Sequence, residues 1–336
     1  MNRGLQMKRI ASVFLCLVFF IVPYEALPAD KLWGVHSARV MSQSIPWIAE
    51  EAGLFRKYDL EFPLVYIGSS PLASAAMLGG DGELLMDGGL GIVRAYVQGN
   101  TELVCIGGQK NILTQSILAK PPIKRLEDLR GKKVGVTRIG ATTHYFATQA
   151  FRKVGMEAGR DYTMIQTGGA PELLAALLSG AIDAGTLSPP LDGQALAQGY
   201  QYVVYGPDLR IPQVAVGFMT RRSALAKRPQ VLGRFMRVMA EAAKILHTDK
   251  EFTFKVLSKQ LRLNDRKALE SSYNEEIKVL EPRLTIRSEA FQAILDDVAQ
   301  TDPRAKKVKP EDFIDRRFLD EMTKSGFFDK LWGEKS

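Results

Sequence analysis

The feature that most constrains this fold is a regular alternation of short apolar runs with amphipathic segments, which fills residues 31–206. Apolar runs of about four to eight residues bounded by glycine, proline and polar residues are typical of strands, and the segments between them have helical periodicity. Pro63 in the run at 60–67 indicates an edge strand. Strands separated by helices predict parallel sheets covered on both faces, and therefore an α/β fold. From Arg221 onward the pattern is almost entirely helical.

One short pattern recurs one hundred residues further along the chain. The first copy has a proline, two alanines, a leucine and a glycine, followed by an acid, and the second copy repeats them: Pro71, Ala75, Ala76, Leu78, Gly80 and Glu83, then Pro171, Ala175, Ala176, Leu178, Gly180 and Asp183. Each copy lies between two predicted strands, which favours two lobes of related βαβ architecture. A short helix that ends in glycine is also common in unrelated proteins.

We predict that the chain crosses between these lobes twice. The first crossing is expected near Ala119–Ile123 and the return near Pro212–Val216. The first lobe is then discontinuous and comprises residues 30–118 and 214–336, with the C-terminal helices packed on it, and residues 119–213 form the second lobe. Two crossing strands make a hinge, and hinge closure around a ligand is a known motion of two-lobed binding proteins.

The N-terminal segment has the order of a secretory signal peptide. Arg3, Lys8 and Arg9 precede an uncharged apolar run at residues 10–22, and small residues follow near Ala29. The run is shorter than the about 20 apolar residues that span a bilayer. We predict that residues 1–29 are a signal peptide and that the mature chain is soluble and periplasmic.

Charge and cysteine content disfavour several functional classes. The formal net charge of +8 belongs partly to the N-terminal segment, and the chain has neither zinc-ligand spacing nor a basic stripe interleaved with aromatic residues, so we expect no nucleic-acid partner. Cys16 and Cys105 are the two cysteines, and only Cys105 lies beyond the predicted signal peptide. The isolated histidines at 36 and 144 do not make a metal site. We predict no metal and no cofactor.

The candidate ligand-binding residues lie where predicted strands end and helices begin. In parallel sheets a ligand binds beyond the carboxyl ends of the strands. Hydroxyls and free amides at helix starts donate hydrogen bonds, and the helix dipole favours a negative group, although serine, threonine and glycine are also ordinary cap and turn residues. We predict no catalytic residue. The predicted ligand-binding residues are Ser42, Ser44, Ser69, Ser70, Gly89, Arg138, Thr142, Thr143, Gly169 and Ser188.

Three further charged residues lie near candidate turns. Arg39 follows the first predicted strand and either reaches a bound anion or is a solvated loop residue. Asp87 and Asp192 either select an amine or cap turns. The sequence leaves these alternatives open.

Three segments carry a family pattern. They are Ile48-Ala49-Glu50-Glu51-Ala52-Gly53-Leu54-Phe55, Leu126-Glu127-Asp128-Leu129-Arg130-Gly131-Lys132-Lys133-Val134-Gly135-Val136 and Leu177-Leu178-Ser179-Gly180-Ala181-Ile182-Asp183-Ala184. Their order and spacing resemble the nitrate/sulfonate/taurine (SsuA/TauA-like) family of solute-binding proteins for ABC importers. The resemblance implies a type II periplasmic-binding-protein fold without catalysis and, as partners, an ABC permease and its ATPase in the inner membrane. We expect a monomer that binds a small molecule.

The same resemblance leaves the solute open, because the chain departs from the family pattern at Gly82–Leu85 and at Arg138–Thr143. Sulfonate, nitrate, carboxylate and pyrimidine-like solutes remain candidates. Two alternative functions also remain. One is a ligand sensor for a membrane receptor, and the other is an enzyme of the thiamine-pyrimidine synthase type, whose cysteine-rich iron-binding motif this chain lacks.

Overall fold

The computed structural model describes residues 29–333, so the predicted signal peptide falls outside the described residues except for Ala29. The described strands, numbered in chain order, are β1 Asp30–Lys31, β2 Gly34–His36, β3 Leu60–Glu61, β4 Leu64–Tyr66, β5 Leu84–Asp87, β6 Leu103–Ile112, β7 Ser116–Ala119, β8 Lys133–Val136, β9 Thr163–Gln166, β10 Ala184–Leu187, β11 Gln201–Val204 and β12 Pro212–Arg221.

Helices separate most of the strands and fill the region after β12. They are α1 Ile45–Glu51, α2 Leu54–Lys57, α3 Ser70–Gly79, α4 Leu90–Val97, α5 Thr142–Arg152, α6 Ala170–Leu178, α7 Leu191–Ala197, α8 Gly206–Leu209, α9 Arg222–Lys227, α10 Pro229–Thr248, α11 Lys250–Leu261, α12 Arg266–Glu276, α13 Ser288–Val298, α14 Arg317–Lys324 and α15 Phe327–Trp332. No helix within residues 29–333 combines the length and the apolar character needed to cross a membrane.

Two five-stranded sheets share one strand order. The first sheet runs β4–β2–β5–β12–β6, and the second, read in the matching direction, runs β9–β8–β10–β7–β11. The first three strands of each sheet are parallel to one another and begin about one hundred residues apart in the two copies. β4 is an edge strand, as Pro63 predicts, and the run at 60–67 is divided there into β3 and β4.

The internal repeat seen in the sequence is confirmed by equivalent contacts. α3 and α6 each end next to a glycine with positive φ, at Gly80 and Gly180. The acid that follows accepts a hydrogen bond from the backbone amide of a residue fifty positions earlier: Trp33 N donates to Glu83 Oε2 at 3.4 Å, and Lys133 N donates to Asp183 Oδ2 at 2.8 Å. Each acid therefore accepts a hydrogen bond at the start of the middle strand of the three parallel ones in its sheet, which is β2 in the first sheet and β8 in the second.

The expectation of wholly parallel sheets is wrong for one strand in each sheet. β12 is antiparallel to both β5 and β6, and β7 is antiparallel to both β10 and β11. Each reversed strand is the one that enters directly from the other sheet. A chain that leaves one sheet at the carboxyl ends of its parallel strands enters the facing sheet at the same kind of edge, so the entering strand has to run in the opposite direction.

The crossings lie earlier in the chain than the sequence predicted. β6 ends at Ile112 in the first sheet and β7 begins at Ser116 in the second, while the return occupies residues 205–211 between β11 and β12. The expected crossings at 119–123 and 212–216 are wrong because β7 belongs to the second sheet and β12 begins at Pro212 in the first. The boundaries of the two lobes remain a proposal, and we place them at these crossings.

The C-terminal helices pack mostly against elements of the first sheet. α10 contacts α1, α13 contacts β12, and α14 contacts β6. α10 is apolar on most of its circumference, and its Phe235 lies among the rings of Phe55, Phe62 and Phe218, with centroids 6.5, 5.0 and 5.9 Å away. α12 differs because it also contacts α7 of the second sheet. These helices thus extend the core around the first sheet and reach the second through α12.

Candidate functional site

A narrow cavity of about 60 Å³ lies between the facing edges of the two sheets. The first sheet contributes the turns after β2 and β4, the end of β5 and parts of β6 and β12. The second sheet contributes the turns after β8, β9 and β10. This is the position beyond the carboxyl ends of the parallel strands where ligands bind in α/β proteins.

The structure brings six of the ten predicted ligand-binding residues together around this cavity. They come from both sheets and each contributes a hydroxyl group: Ser42, Ser69, Ser70, Thr142, Thr143 and Ser188. Their role in binding remains a prediction, because the geometry establishes only that they share one cavity.

Four predicted residues do not line the cavity. Ser44 is fully buried at the start of α1, and a Cβ built on Gly89 would face Val214, Phe291 and Ile294 in the core. Gly169 precedes the lining residue Ala170 and faces Tyr66. Arg138 is half-buried outside the cavity, with its Nε unpartnered among the described residues. Differences of about one residue in the turns decide which side chain faces the cavity.

The first sheet presents a buried carboxyl group fixed by a chain of hydrogen bonds. Ala38 N donates to Gln43 Oε1 at 3.0 Å, and Gln43 Nε2 donates to Ser37 Oγ at 3.0 Å. Ser37 Oγ in turn donates to Asp87 Oδ1 at 2.7 Å. Asp87 is 1% exposed, and burial raises its pKa against the opposing effects of Ser37, Ser70, Ser74 and the Gly88 amide.

The second sheet presents the N-terminus of α5. Thr143 Oγ1 accepts from Thr137 N at 3.1 Å and lies 2.8 Å from Thr137 Oγ1. Thr142 begins the helix and faces the first sheet, because a Cβ built on Gly88 would lie 2.9 Å from Thr142 Oγ1. Thr143 thus orders the turn, and Thr142 is the hydroxyl that faces the opposite lobe.

Within the part of the chain that the structure describes, one cation lines the cavity, and an anionic side chain already compensates its charge. Lys110 is 1% exposed, and its Nζ donates to Glu276 Oε1 at 2.6 Å and to Thr114 Oγ1 at 2.8 Å. Thr114 Oγ1 donates to the other oxygen of Glu276 at 2.8 Å. This buried network joins β6 and the first crossing to α12. Sequence reasoning missed Lys110, since a lysine within an apolar strand gives no signal of its position.

Three buried polar atoms of the lining have no hydrogen-bond partner among residues 29–333. They are Ser69 Oγ, Asp87 Oδ2 and Gln115 Oε1. An unpaired buried polar group costs free energy, so such atoms mark where a bound molecule would form hydrogen bonds. Ser37, Gln43, Gln115 and Thr137 were also missed as lining residues, because single polar residues beside strands are ordinary in sequence.

Three potentially reactive or charged side chains, Cys105, His36 and Arg39, lie outside the cavity lining. Cys105 is fully buried, its Sγ donates to Gly107 O at 3.3 Å, and burial raises its pKa to about 12. Burial has the opposite effect on the imidazole of His36 and lowers its pKa to about 4. Arg39 is exposed and stacks on Tyr66 with 4.9 Å to the ring centroid, outside the cavity lining. Within the described chain, no group of three histidine, cysteine, aspartate or glutamate side chains is placed to hold a metal ion.

Comparison with known proteins agrees with this architecture. The family model described as "NMT1/THI5 like" matches residues 44–251. A candidate binding protein of Brucella abortus (strain 2308) is 24% identical over 266 residues, which cover 77% of this chain and 80% of that protein.

Solved structures share the fold at low sequence identity. A protein of Bordetella bronchiseptica RB50 superposes with a TM-score of 0.79 at 19% identity, covering 88% of this chain and 98% of that one. The alkanesulfonate-binding protein SsuA from Xanthomonas axonopodis pv. citri, bound to MOPS, has a TM-score of 0.72 at 18% identity and covers 87% and 99%. The predicted two-lobed periplasmic-binding-protein fold is therefore confirmed.

The same fold also occurs in an enzyme. The desulfurization enzyme DSZB superposes with a TM-score of 0.65 at 14% identity, covering 88% of this chain and 99% of that one. The fold alone therefore does not distinguish a binding protein from an enzyme, and the chemistry of the residues in the site is needed to distinguish them.

Proposed function

Because the chain belongs to the NMT1/THI5-like family, we propose that it is a periplasmic solute-binding protein. It captures a small anionic or polar organic solute between its two lobes and delivers the solute to an ABC importer. The sequence resemblance implies four candidate classes of solute, which are sulfonate-, nitrate-, carboxylate- and pyrimidine-like molecules. The structural neighbour SsuA, an alkanesulfonate-binding protein, supports the transport role.

The observation that carries this proposal is the convergence of six hydroxyl side chains from both sheets on one cavity. Hydroxyls and helix-start amides hold a polar group by hydrogen bonds and leave its covalent bonds intact. A binding protein needs this chemistry on both sides of the ligand, because the ligand then holds the two lobes together.

The character of the lining favours binding over catalysis. Among the described residues, the lining includes no histidine or cysteine, and its one cation is paired with Glu276. Cys105 is removed from the cavity and its raised pKa keeps the thiol protonated. General acid–base or nucleophilic catalysis requires a titratable group or a nucleophile with an activating base within reach of the substrate. Asp87 is the one carboxyl of the lining within residues 29–333, and the one other titratable group there, Lys110, is already paired with Glu276.

A ligand screen by thermal shift tests the proposed function. We expect one class of small polar solutes to raise the melting temperature of the mature protein, since a ligand at 100 times its dissociation constant adds about 2.7 kcal/mol to the free energy of unfolding. The solute should be recovered unchanged after incubation. Its chemical conversion by the protein would favour an enzyme, and the absence of stabilisation by any small solute would contradict a binding role.

Localisation is part of the same proposal. It is supported by the signal-peptide pattern at residues 1–29 and by the periplasmic binding proteins among the structural neighbours. Intact-mass measurement of secreted material should show a chain that begins at or near Asp30. A retained Met1 would contradict it.

A further inference from the structure

The charge arrangement inside the cavity narrows the class of solute. We propose that the ligand places an N–H donor group, such as an ammonium, an amidinium or the amino group of a heterocycle, against Asp87 Oδ2. This inference rests on the proposed function, and it selects one ligand class for the same site. It disfavours a ligand that places a sulfonate, nitrate or carboxylate group at this end of the cavity.

The hydrogen bonds around Asp87 fix which oxygen is available. Gln43 Nε2 donates to Ser37 Oγ, so Ser37 uses its only hydroxyl hydrogen to donate to Asp87 Oδ1. Asp87 Oδ1 is therefore occupied as an acceptor. Oδ2 accepts no hydrogen bond within residues 29–333, although Ser70, Ser74 and the Gly88 amide lie near the carboxyl, and Asp87 forms no ion pair among those residues. A ligand that donates a hydrogen bond to Oδ2 would give both oxygens of the Asp87 carboxyl a hydrogen-bond partner.

The N-terminus of α3 favours a negatively charged group beside it, and the Asp87 carboxyl of the protein itself occupies that position. α3 begins at Ser70, and Ser70 and Ser74 lie close enough to Asp87 to oppose the rise of its pKa. The positive end of the α3 dipole thus acts on the Asp87 carboxylate. An anionic group of a ligand at this position would meet a like charge in a buried setting, which is unfavourable.

The opposite charge is not available to offset such an anion. Lys110 is the one cation among the described residues that line the cavity, and Glu276 accepts from it at 2.6 Å. A lysine that is paired in this way cannot also neutralise a ligand anion without leaving Glu276 buried and uncompensated. The carboxyl of Asp87 is the group that lacks a partner of opposite charge.

Two pairs of probe ions of matched size test the proposal on the full mature protein. Guanidinium and nitrate are both planar and three-fold, and acetamidinium and acetate have the same outline. The first member of each pair only donates hydrogen bonds and the second only accepts them. Titration calorimetry and thermal shift at constant ionic strength, with sodium chloride as the reference salt, measure binding of all four.

We expect the wild-type protein to bind guanidinium and acetamidinium at least tenfold more tightly than nitrate and acetate. Asp87→Asn keeps the shape of the side chain and should weaken guanidinium binding about 10- to 100-fold, the usual cost of losing a hydrogen bond to a charged group. Asp192→Asn is the matched control, because it also removes a buried carboxyl, but one outside the cavity lining. It should leave guanidinium binding unchanged.

The proposal is overturned if nitrate or acetate binds as tightly as its partner ion, if Asp87→Asn binds guanidinium like the wild type, or if neither donor ion binds. The preference of the wild type needs no variant and therefore does not depend on how Asp87→Asn folds. An anion that binds in the cavity would remove the proposed ligand class and leave the binding function standing. Loss of the binding function itself would appear separately, as a failure of the whole solute screen.

Discussion

At the scale of single residues, Asp192 is the buried acid whose effect on stability is easiest to isolate. Tyr202 OH donates to Asp192 Oδ2 at 2.9 Å, and burial raises the pKa of Asp192 from an ordinary 3.8 to about 6. Between these pH values the folded protein keeps a proton that the unfolded chain releases. The free energy of unfolding therefore falls as the pH rises from about 4 to 6, by roughly 3 kcal/mol from this residue.

We predict that Asp192→Asn makes this pH dependence shallower. Asparagine does not titrate and can still accept from Tyr202, so the variant should gain stability over the wild type at pH 7 and not at pH 4. Part of the slope should remain, because the raised pKa of Asp87 acts in the same direction. Urea denaturation at pH 4, 5, 6 and 7 measures it, with Asp81→Asn at an exposed position as the control. Equal slopes in wild type and Asp192→Asn would contradict the prediction.

Thr142 is the residue on which the predicted binding role is tested most directly. Thr142→Leu removes a hydroxyl and adds bulk where Gly88 lies opposite. We expect binding of the solute found by the screen to weaken about 10- to 100-fold, while the melting temperature of the free protein changes little because Thr142 is only half-buried. Thr142→Ser keeps the hydroxyl and serves as the control. Unchanged affinity in both Thr142→Leu and Ser69→Ala would place the site elsewhere.

At the scale of secondary structure elements, the sequence predicted the repeated βαβ units and missed the reversed strands. Periodicity and the glycines at 80 and 180 locate helices and strands because those signals are local. The direction in which β7 and β12 run depends on which sheet receives them, and nothing in their own residues records it. The same limit applies to the site. The sequence predicted the hydroxyl side chains at helix starts, but it did not predict Lys110, which lies on β6, or Gln115, which lies in the crossing between the sheets.

The two crossings pack directly against each other at Gly206. A Cβ built on Gly206 would lie 1.6 Å from the carbonyl oxygen of Gln115, and Gly206 N donates to Ser116 Oγ at 3.0 Å. We predict that Gly206→Ala lowers the free energy of unfolding by about 1–3 kcal/mol, since the backbone has to move apart to admit the methyl group. Urea denaturation measures the change.

Gly79→Ala is the matched control for this substitution. Gly79 ends α3 in an exposed position, and the nearest atom to a Cβ there is a carboxylate oxygen of Asp81 at 3.9 Å. The control should be neutral or stabilise slightly, because alanine favours helix more than glycine does. A Gly206→Ala protein as stable as the Gly79→Ala protein would show that the crossings have room to separate.

At the scale of the whole molecule, the described conformation has its lobes in contact on several sides of the cavity. Gly88 faces Thr142, Met41 N donates to Pro189 O at 3.4 Å, and Arg152 pairs with Asp297 at 2.9 Å. The crossings and α12 also join the two lobes. We expect a ligand to enter this narrow cavity when the lobes separate, and we therefore predict an opening motion about the crossings.

A disulfide across the cavity tests that requirement. The Cβ atoms of a disulfide are about 3.5–4.5 Å apart, and the 2.9 Å between a Cβ on Gly88 and Thr142 Oγ1 is compatible with that spacing for residues 88 and 142. The double variant Gly88→Cys with Thr142→Cys should form the bond under mild oxidation, and Cys105 should not interfere because it is fully buried. We expect the oxidised protein to exchange a bound screen ligand at least tenfold more slowly than the reduced protein, with thiol titration and ligand dissociation kinetics as the measurements. Each single-cysteine variant controls for the substitutions themselves. If no disulfide forms, the lobes do not approach as described, and if the oxidised protein exchanges ligand at the reduced rate, the ligand enters by a route that needs no opening of the lobes.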